Sequence, residues 1–502
     1  MSTTPLPTSF APRTGEQVTA HEASTSGQVA AAAQRAAEAF TALRTTSPAQ
    51  RRDWLRAVAD SLEAHREELA HLADEETALG LDRLTTEIER TVGTLRFYGD
   101  VAREGSFLEL AIDDQPPLAR INQGMGPVAV FGASNFPFVL GVVGHDTSSA
   151  IAAGCPVVAK AHDAHLGLSL RLAELVEKAL ADAGAPTGTF GMVVGFDAGV
   201  ELVRHEAISA VAFTGSEAGG RAIWRAAQER EIPVPVYAEM GTVNAVVVTP
   251  AAVPDLASIA EGFVNCYTNC SGQYCSKPGL FFAPRGSDAA AHVARALEAA
   301  SPQPIMLTEA IADSVRAGLA AMSEEGAEVV LRVGDDDRGW SAPAAVLSTP
   351  SSAIFEGSRL LEETFGAVAV VTEYDDEQEL SRALEVMQSA LIAAVWTPET
   401  GPDDLAPQVI EQLSRKVGRV VTNGWTTGAN ASWGMQHGGP WPATSNPQGT
   451  SIGAASLNRF VRPVSFQSTR EEWLPEGARR ENPWQVTRRV NGVLEPSPHV
   501  AR

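Results

Sequence analysis

The feature that most restricts the fold of this chain is a series of short apolar runs, each bounded by Gly or Pro, that begins at Pro127. They fall at 127–132, 156–160, 190–194, 210–213 and 235–239. Little polar/apolar alternation runs through them, as expected of strands covered on both faces. Between the second and third runs, Leu168, Leu172, Leu175, Val176, Ala179 and Leu180 share one helical face, and Gly184 and Pro186 end the helix. Strands separated by such helices form a parallel, doubly wound sheet. The pattern resumes with strands expected at 246–248, 279–282, 367–371, 392–396 and 419–421, and helices at 253–267, 287–299, 307–322 and 377–388. The fold class is therefore α/β, with two doubly wound parallel sheets. Residues 28–105 read as helical, with Thr25 or Ser26 as a cap. Residues 107–125 alternate like a hairpin, and 458–467 alternate again and are expected to pair with it.

Charge narrows the function. The 38 basic and 61 acidic residues leave a net charge of −23, which excludes the basic footprint of a nucleic-acid binder and disfavours an anionic membrane. The uncharged stretch 124–144 is broken by Pro127, Ser134, Asn135 and Pro137, so it reads as a buried strand and turn rather than a membrane span. The N-terminus lacks the basic and apolar regions of a secretory signal. Four cysteines form no disulfide framework, and three crowd into 266–275. A soluble cytoplasmic protein is expected.

Those three cysteines lack zinc-knuckle spacing, so no metal is expected. Cys266 lies on an apolar helix and reads as a buried small residue. Cys275, in Ser-Gly-Gln-Tyr-Cys-Ser-Lys-Pro-Gly, sits on a loop just before a strand, where a thiolate could attack a carbonyl. Glu239 ends a buried strand, where doubly wound sheets bind ligands, and is a possible general base. The turn Phe213-Thr214-Gly215-Ser216 leads through Gly219 and Gly220 into a helix whose N–H groups would attract phosphate, although the Gly-x-Gly-x-x-Gly spacing is absent.

Together these motifs resemble the aldehyde dehydrogenase superfamily. Ser-Asn-Phe-Pro-Phe at Asn135, Pro-Val-Val-Ala-Lys at Lys160, Phe-Thr-Gly-Ser, Ala-Glu-Met-Gly at Glu239, Gly-Gln-Tyr-Cys at Cys275 and Glu-Glu-Thr-Phe-Gly at 362–366 occur in that family's order. The closer resemblance is to the branch holding 2-oxoglutarate semialdehyde dehydrogenases and some NADP-dependent long-chain aldehyde dehydrogenases. It rests on stretches 131–138, 153–162, 437–445 and 459–464. Thr364, Ala367 and Tyr-Thr-Asn-Cys at 267–270 depart from the usual pattern.

The resemblance implies a dinucleotide-binding domain over 1–106 and 126–240, and a catalytic domain over 241–457. A β oligomerisation arm over 107–125 and 458–470 and a C-terminal tail over 471–502 complete the chain. It implies that Cys275 attacks an aldehyde, that Asn135 and the Cys275 N–H hold the oxyanion, and that Glu239 activates water to hydrolyse the thioester. Lys160 would contact the adenosine ribose. Thr214, Gly215, Ser216 and Gly220 would surround the pyrophosphate, and Glu363 and Phe365, with Gly241 close by, the nicotinamide ribose. Lys160, His162 and His165 favour NADP, while Asp163 favours NAD; both are expected to serve. The expected partners are a small aldehyde and further copies of the chain, as a homodimer or homotetramer. The expected substrate is 2-oxoglutarate semialdehyde, its far carboxylate met by Arg90, Arg96, Arg459 or Arg462. The rival is a long apolar aldehyde in a tunnel of Phe136, Phe138, Trp425, Trp433 and Trp441. Glu239 disfavours a CoA-acylating route, and a catalytically silent protein on the same fold is the alternative of another class.

Overall fold

The apolar runs after Pro127 form a five-stranded, all-parallel sheet: Phe190–Val193, Val157–Lys160, Val128–Phe131, Ala210–Gly215 and Val236–Met240, in that spatial order. In order of appearance this is 3-2-1-4-5, the dinucleotide-binding arrangement. Its direction of winding reverses between Val128–Phe131 and Ala210–Gly215, so the loops after these two strands flank the ligand crevice. Asn135 lies on the first loop and Ser216 on the second. This computed structural model describes residues 6–336 and 338–499.

The second sheet has seven strands, ordered Glu328–Val333, Ala344–Pro350, Val368–Tyr374, Pro278–Pro284, Asn244–Val248, Ala390–Trp396 and Val417–Thr422. All neighbours are parallel except the first two. Helices at Leu256–Thr268, Ala289–Ala300, Glu309–Glu324 and Glu377–Val386 match the expected segments. The strands at 328–333 and 344–350 were not expected from the sequence. The first is a largely exposed antiparallel edge in spite of its apolar Val329, Val330, Leu331 and Val333, and the second opens on two alanines.

The N-terminal helices start where capping chemistry puts them. Thr25 and Gln28 form a capping box ahead of Ser26–Leu43, and Ser47 and Gln50 repeat it ahead of Pro48–Ala64. The long helix Leu81–Glu104 turns Glu87 inward, and its carboxylate accepts the Phe138 and Val139 N–H groups at 2.9 and 3.0 Å. That pairing fixes the loop carrying Asn135.

A third sheet joins distant parts of the chain. Pro117–Gly124 pairs antiparallel with both Leu110–Asp114 and Val461–Gln467, as the two alternating segments suggest. The segment 471–502 is more than a tail. Arg488–Val490 adds to Leu110–Asp114 in parallel and returns through Val493–Glu495. These strands are short, arginine-rich and largely exposed, so no apolar alternation announces them. Among the described residues no helix is long and apolar enough to cross a membrane.

Candidate active site

Cys275 sits on the loop between Leu256–Thr268 and Pro278–Pro284. Gly272 makes that loop possible: its φ is +73°, and an added Cβ would lie 2.2 Å from the Gly366 carbonyl carbon. The loop is thereby pressed against 362–366. Asn244, at the start of Asn244–Val248, donates its amide to the Cys275 and Lys277 carbonyls at 2.9 and 3.0 Å. Asn135 is buried, and its Nδ2 donates to the Gln273 carbonyl at 2.8 Å, which ties the first loop of the crevice to the cysteine loop.

Glu239, 3% exposed, faces this loop from the end of its strand. Between carboxylate and thiol stands His437, whose Nε2 lies 3.0 Å from Glu239 Oε1 and 3.6 Å from Cys275 Sγ. Ser451 donates its hydroxyl to Glu239 Oε2. The His437 backbone is fixed in turn, its N–H bonding Thr450 Oγ1 at 2.8 Å and its carbonyl accepting the Ser451 N–H at 2.9 Å. The reactive atoms of Glu239, Cys275 and His437 all lie within 4.8 Å of one another. Neither His437 nor Ser451 was singled out for a role from the sequence. His437 opens the stretch 437–445, but it stands 198 residues from Glu239, and nothing in the pattern joins them.

The electrostatics of the pair oppose each other. Burial, then the Glu239 carboxylate, then Glu363 push the Cys275 thiol well above its ordinary value, against a Ser276 N–H that favours the thiolate. The resting sulfur is therefore protonated. Burial would raise Glu239 as well, but the His437 ring, Ser451 and the thiol together hold it below the usual carboxylate range. The site thus holds an acid and a base side by side, separated by environment.

The cofactor-binding candidates divide into three places. Ser216 caps Glu217–Gln228, accepting the Gly219 N–H at 3.2 Å, with Thr214, Gly215 and Gly220 around the same turn. Across the crevice, Glu363 stands against Gly241, where an added Cβ would lie 2.1 Å from its carboxylate. Glu363 Oε1 and Thr242 Oγ1 are buried with no hydrogen-bond partner. Both line a small cavity with Lys277. Two unsatisfied oxygens in one polar niche fit the hydroxyls of a ribose. Phe365 is half-buried on the same loop. At the third place, Lys160 Nζ pairs with Asp163 Oδ1 at 3.2 Å. His162 and His165 do not supply the expected positive charge. They stack at 5.3 Å, and burial, reinforced at His162 by its neighbours, drives both below the ordinary imidazole value. His165 is further occupied by the Ala133 carbonyl and Ser169.

The residues expected at the far end of the substrate are mostly elsewhere. Arg96 is bound to Asp60 and Glu63 on an exposed face, Arg459 is buried against Asp146, and Arg462 lies on the third sheet. Arg90 alone comes within electrostatic reach of Cys275, and it bonds the Ala429 carbonyl. Arg83, not anticipated, joins it over the Phe136 ring at 4.8 Å and donates to the Asn135 carbonyl at 2.7 Å. The expected aromatic tunnel is not assembled. Phe138 is core, Trp425 packs on Trp396 and Phe263, Trp433 meets Phe97, and Trp441 meets Trp224. Phe136 stacks on Tyr274 beside the arginines.

A 3-2-1-4-5 sheet with a thiol and a carboxylate at its crevice is the frame of an enzyme that works beside a bound dinucleotide. The chain belongs to the aldehyde dehydrogenase family, whose sequence profile matches residues 5–440, and it oxidises aldehydes using NAD(P). It is 40% identical to alpha-ketoglutaric semialdehyde dehydrogenase 2 of Azospirillum brasilense, over 97% of this chain and 96% of that one. It is 37% identical to alpha-ketoglutaric semialdehyde dehydrogenase of Acinetobacter baylyi, over 93% and 91%. The fold is also that of a 1-pyrroline-5-carboxylate dehydrogenase from Thermus solved with bound NAD: TM-score 0.80, 21% identity, 91% of this chain and 89% of that one.

Proposed function

We propose that the chain oxidises 2-oxoglutarate semialdehyde to 2-oxoglutarate, with Cys275 as nucleophile, Glu239 as general base and Asn135 as oxyanion donor. The observation that carries this reading is the single nitrogen of His437 lying 3.0 Å from the Glu239 carboxylate and 3.6 Å from the Cys275 sulfur. Cys275 attacks the aldehyde carbon through the ionised fraction of its thiol, whose proton has passed to solvent. The resulting oxyanion is met by the Asn135 amide, which exchanges the Gln273 carbonyl for it. The nicotinamide dinucleotide, when bound, supplies the hydride acceptor that leaves a thioester on Cys275. Glu239, held by Ser451 and His437, then removes a proton from the water that releases the acid. Ser216 and the helix start behind it would hold the pyrophosphate, and Glu363 with Thr242 a ribose.

Two relatives named for this semialdehyde support the substrate, as do the two guanidinium groups at Phe136. A dicarboxylate product needs such a cation, since an unpaired buried carboxylate is prohibitive. The dispersal of the aromatics speaks against a long apolar aldehyde. We further propose that NAD and NADP both serve, because Lys160 is already balanced by Asp163 and the two imidazoles are neutral. The edge strand Val461–Gln467 suits assembly into a homodimer or homotetramer, and the free thiols suit the cytoplasm. The test is kcat/KM for 2-oxoglutarate semialdehyde against decanal with each dinucleotide. A hundredfold preference for decanal refutes the substrate, and full activity in Cys275→Ala refutes the nucleophile.

A further inference from the structure

A cavity of about 520 Å³ lies between residues 40–51, the strand Pro117–Gly124, the turn at 153–154 and the segment 473–484, and no residue of the catalytic crevice lines it. Its wall holds Arg51, which is 4% exposed. Gly154 admits this guanidinium, since a Cβ there would lie 2.5 Å from Nη1. No carboxylate among the described residues pairs with it. Burial lowers its pKa to about 10, and the only group acting the other way is the Cys155 thiol. A buried cation without a counter-charge calls for an anion.

The rest of the wall points the same way. Arg44 and Arg479 also line the cavity, against the single carboxylate of Glu476, and neither arginine forms an ion pair among the described residues. In a chain of net charge −23 this is a local excess of two positive charges. Three buried polar atoms of the same wall lack hydrogen-bond partners: Arg51 Nε, Trp484 Nε1 and Asn122 Oδ1. Two are donors and one is an acceptor. Buried polar atoms are ordinarily satisfied, so this wall is incomplete as it stands. An occupant that balances it carries two negative charges and several acceptor oxygens.

We propose that this cavity is a binding site for hydrogenphosphate or a phosphate monoester. Arg51, Arg44 and Arg479 take its oxygens, as planar guanidinium groups do well. Trp473 and Trp484 border the apolar part of the space, where the body of an ester would lie. Because the site joins segments far apart in the chain, an occupant that binds only the folded protein raises its melting temperature.

The experiment titrates the full-length protein with inorganic phosphate at constant ionic strength, following tryptophan fluorescence and Tm. The expected result is saturable quenching with a Tm that rises with phosphate, at least tenfold weaker in Arg51→Gln. Sulfate, a tetrahedral dianion like hydrogenphosphate, is expected to compete with it for the site, and failure to compete overturns the proposal. Should Arg51→Gln fold poorly, Arg44→Gln and Arg479→Gln at the rim are expected to weaken phosphate several-fold each. No saturable response in wild type overturns the proposal, as it would if an acidic side chain of a second copy fills the space. An equal response in wild type and all three variants overturns it as well.

Discussion

Glu239→Gln keeps the shape and most hydrogen bonds of the catalytic carboxylate and removes its charge, so it acts oppositely on the two halves of the reaction. The carboxylate stands within 4.8 Å of Cys275 Sγ and, after burial, is the largest cause of the raised thiol pKa. Two unit charges at that distance repel by about 3 kcal/mol at an effective dielectric of ~20, or roughly two pKa units. Partial neutralisation by the adjacent imidazole reduces this, so the thiolate population at neutral pH should rise about 10- to 100-fold. Alkylation of Cys275 by iodoacetamide, followed by mass spectrometry in the Cys270→Ala background, reads that population directly. Steady-state oxidation should instead fall by about 10²–10⁴, the usual worth of a general base. Reduced dinucleotide should appear as a burst that stalls at the thioester. Alkylation that is unchanged or slower in Glu239→Gln would refute the electrostatic reasoning, and full turnover would refute the base.

Other consequences follow from the same geometry. His437→Ala leaves Glu239 with Ser451 as its named side-chain partner, and kcat should drop about 100-fold with KM for the dinucleotide unchanged; a change confined to KM would contradict the placement. Single-turnover acylation should climb with pH through neutrality, because the thiol is raised and its ionised fraction grows tenfold per unit below its pKa; a flat profile would contradict the protonated resting state. Glu239 is shifted the other way, so its contribution to stability is present above the ordinary carboxylate value and lost as pH falls through its folded pKa, seen as a Tm that falls more steeply with acid than in Glu239→Gln. Arg90→Gln should raise KM for 2-oxoglutarate semialdehyde about tenfold and leave an uncharged aldehyde of equal length unaffected. Equal effects on both would assign Arg90 to packing.

The two parallel sheets were legible because buried strands leave continuous apolar runs, and Gly and Pro mark their ends. Cys275 and Glu239 stood out as candidates for a different reason, at the end of such a run or on the loop that precedes one, whereas Asn135 entered only through the family resemblance. His437 and Ser451 belong to a long irregular stretch with no period to read, and only the folded crossing brings them to Glu239. Arg83 looked like any helix-surface cation, because its partner Glu87 is buried by a loop some fifty residues later. His162 and His165 show the opposite error: their positions suggested charge, and burial removes it.

The third sheet sets an order on the birth of the molecule. Asp114 donates its N–H to Asn491 Oδ1 and accepts from Asn491 Nδ2, a separation of 377 residues, and the Glu104 carbonyl accepts the Thr487 N–H. At ~5–20 residues per second of synthesis, about 20–75 s pass between the appearance of these partners on the ribosome. For that interval the hairpin 110–124 has both outer edges open, with Leu110, Ile112 and Ile121 denied much of their final cover. Both sheets that carry the crevice are by then fully synthesised, and the hairpin is the part left waiting. A nascent chain is therefore most exposed to self-association, and most useful to a chaperone, at this one hairpin, and release comes only when 461–495 have emerged to close it.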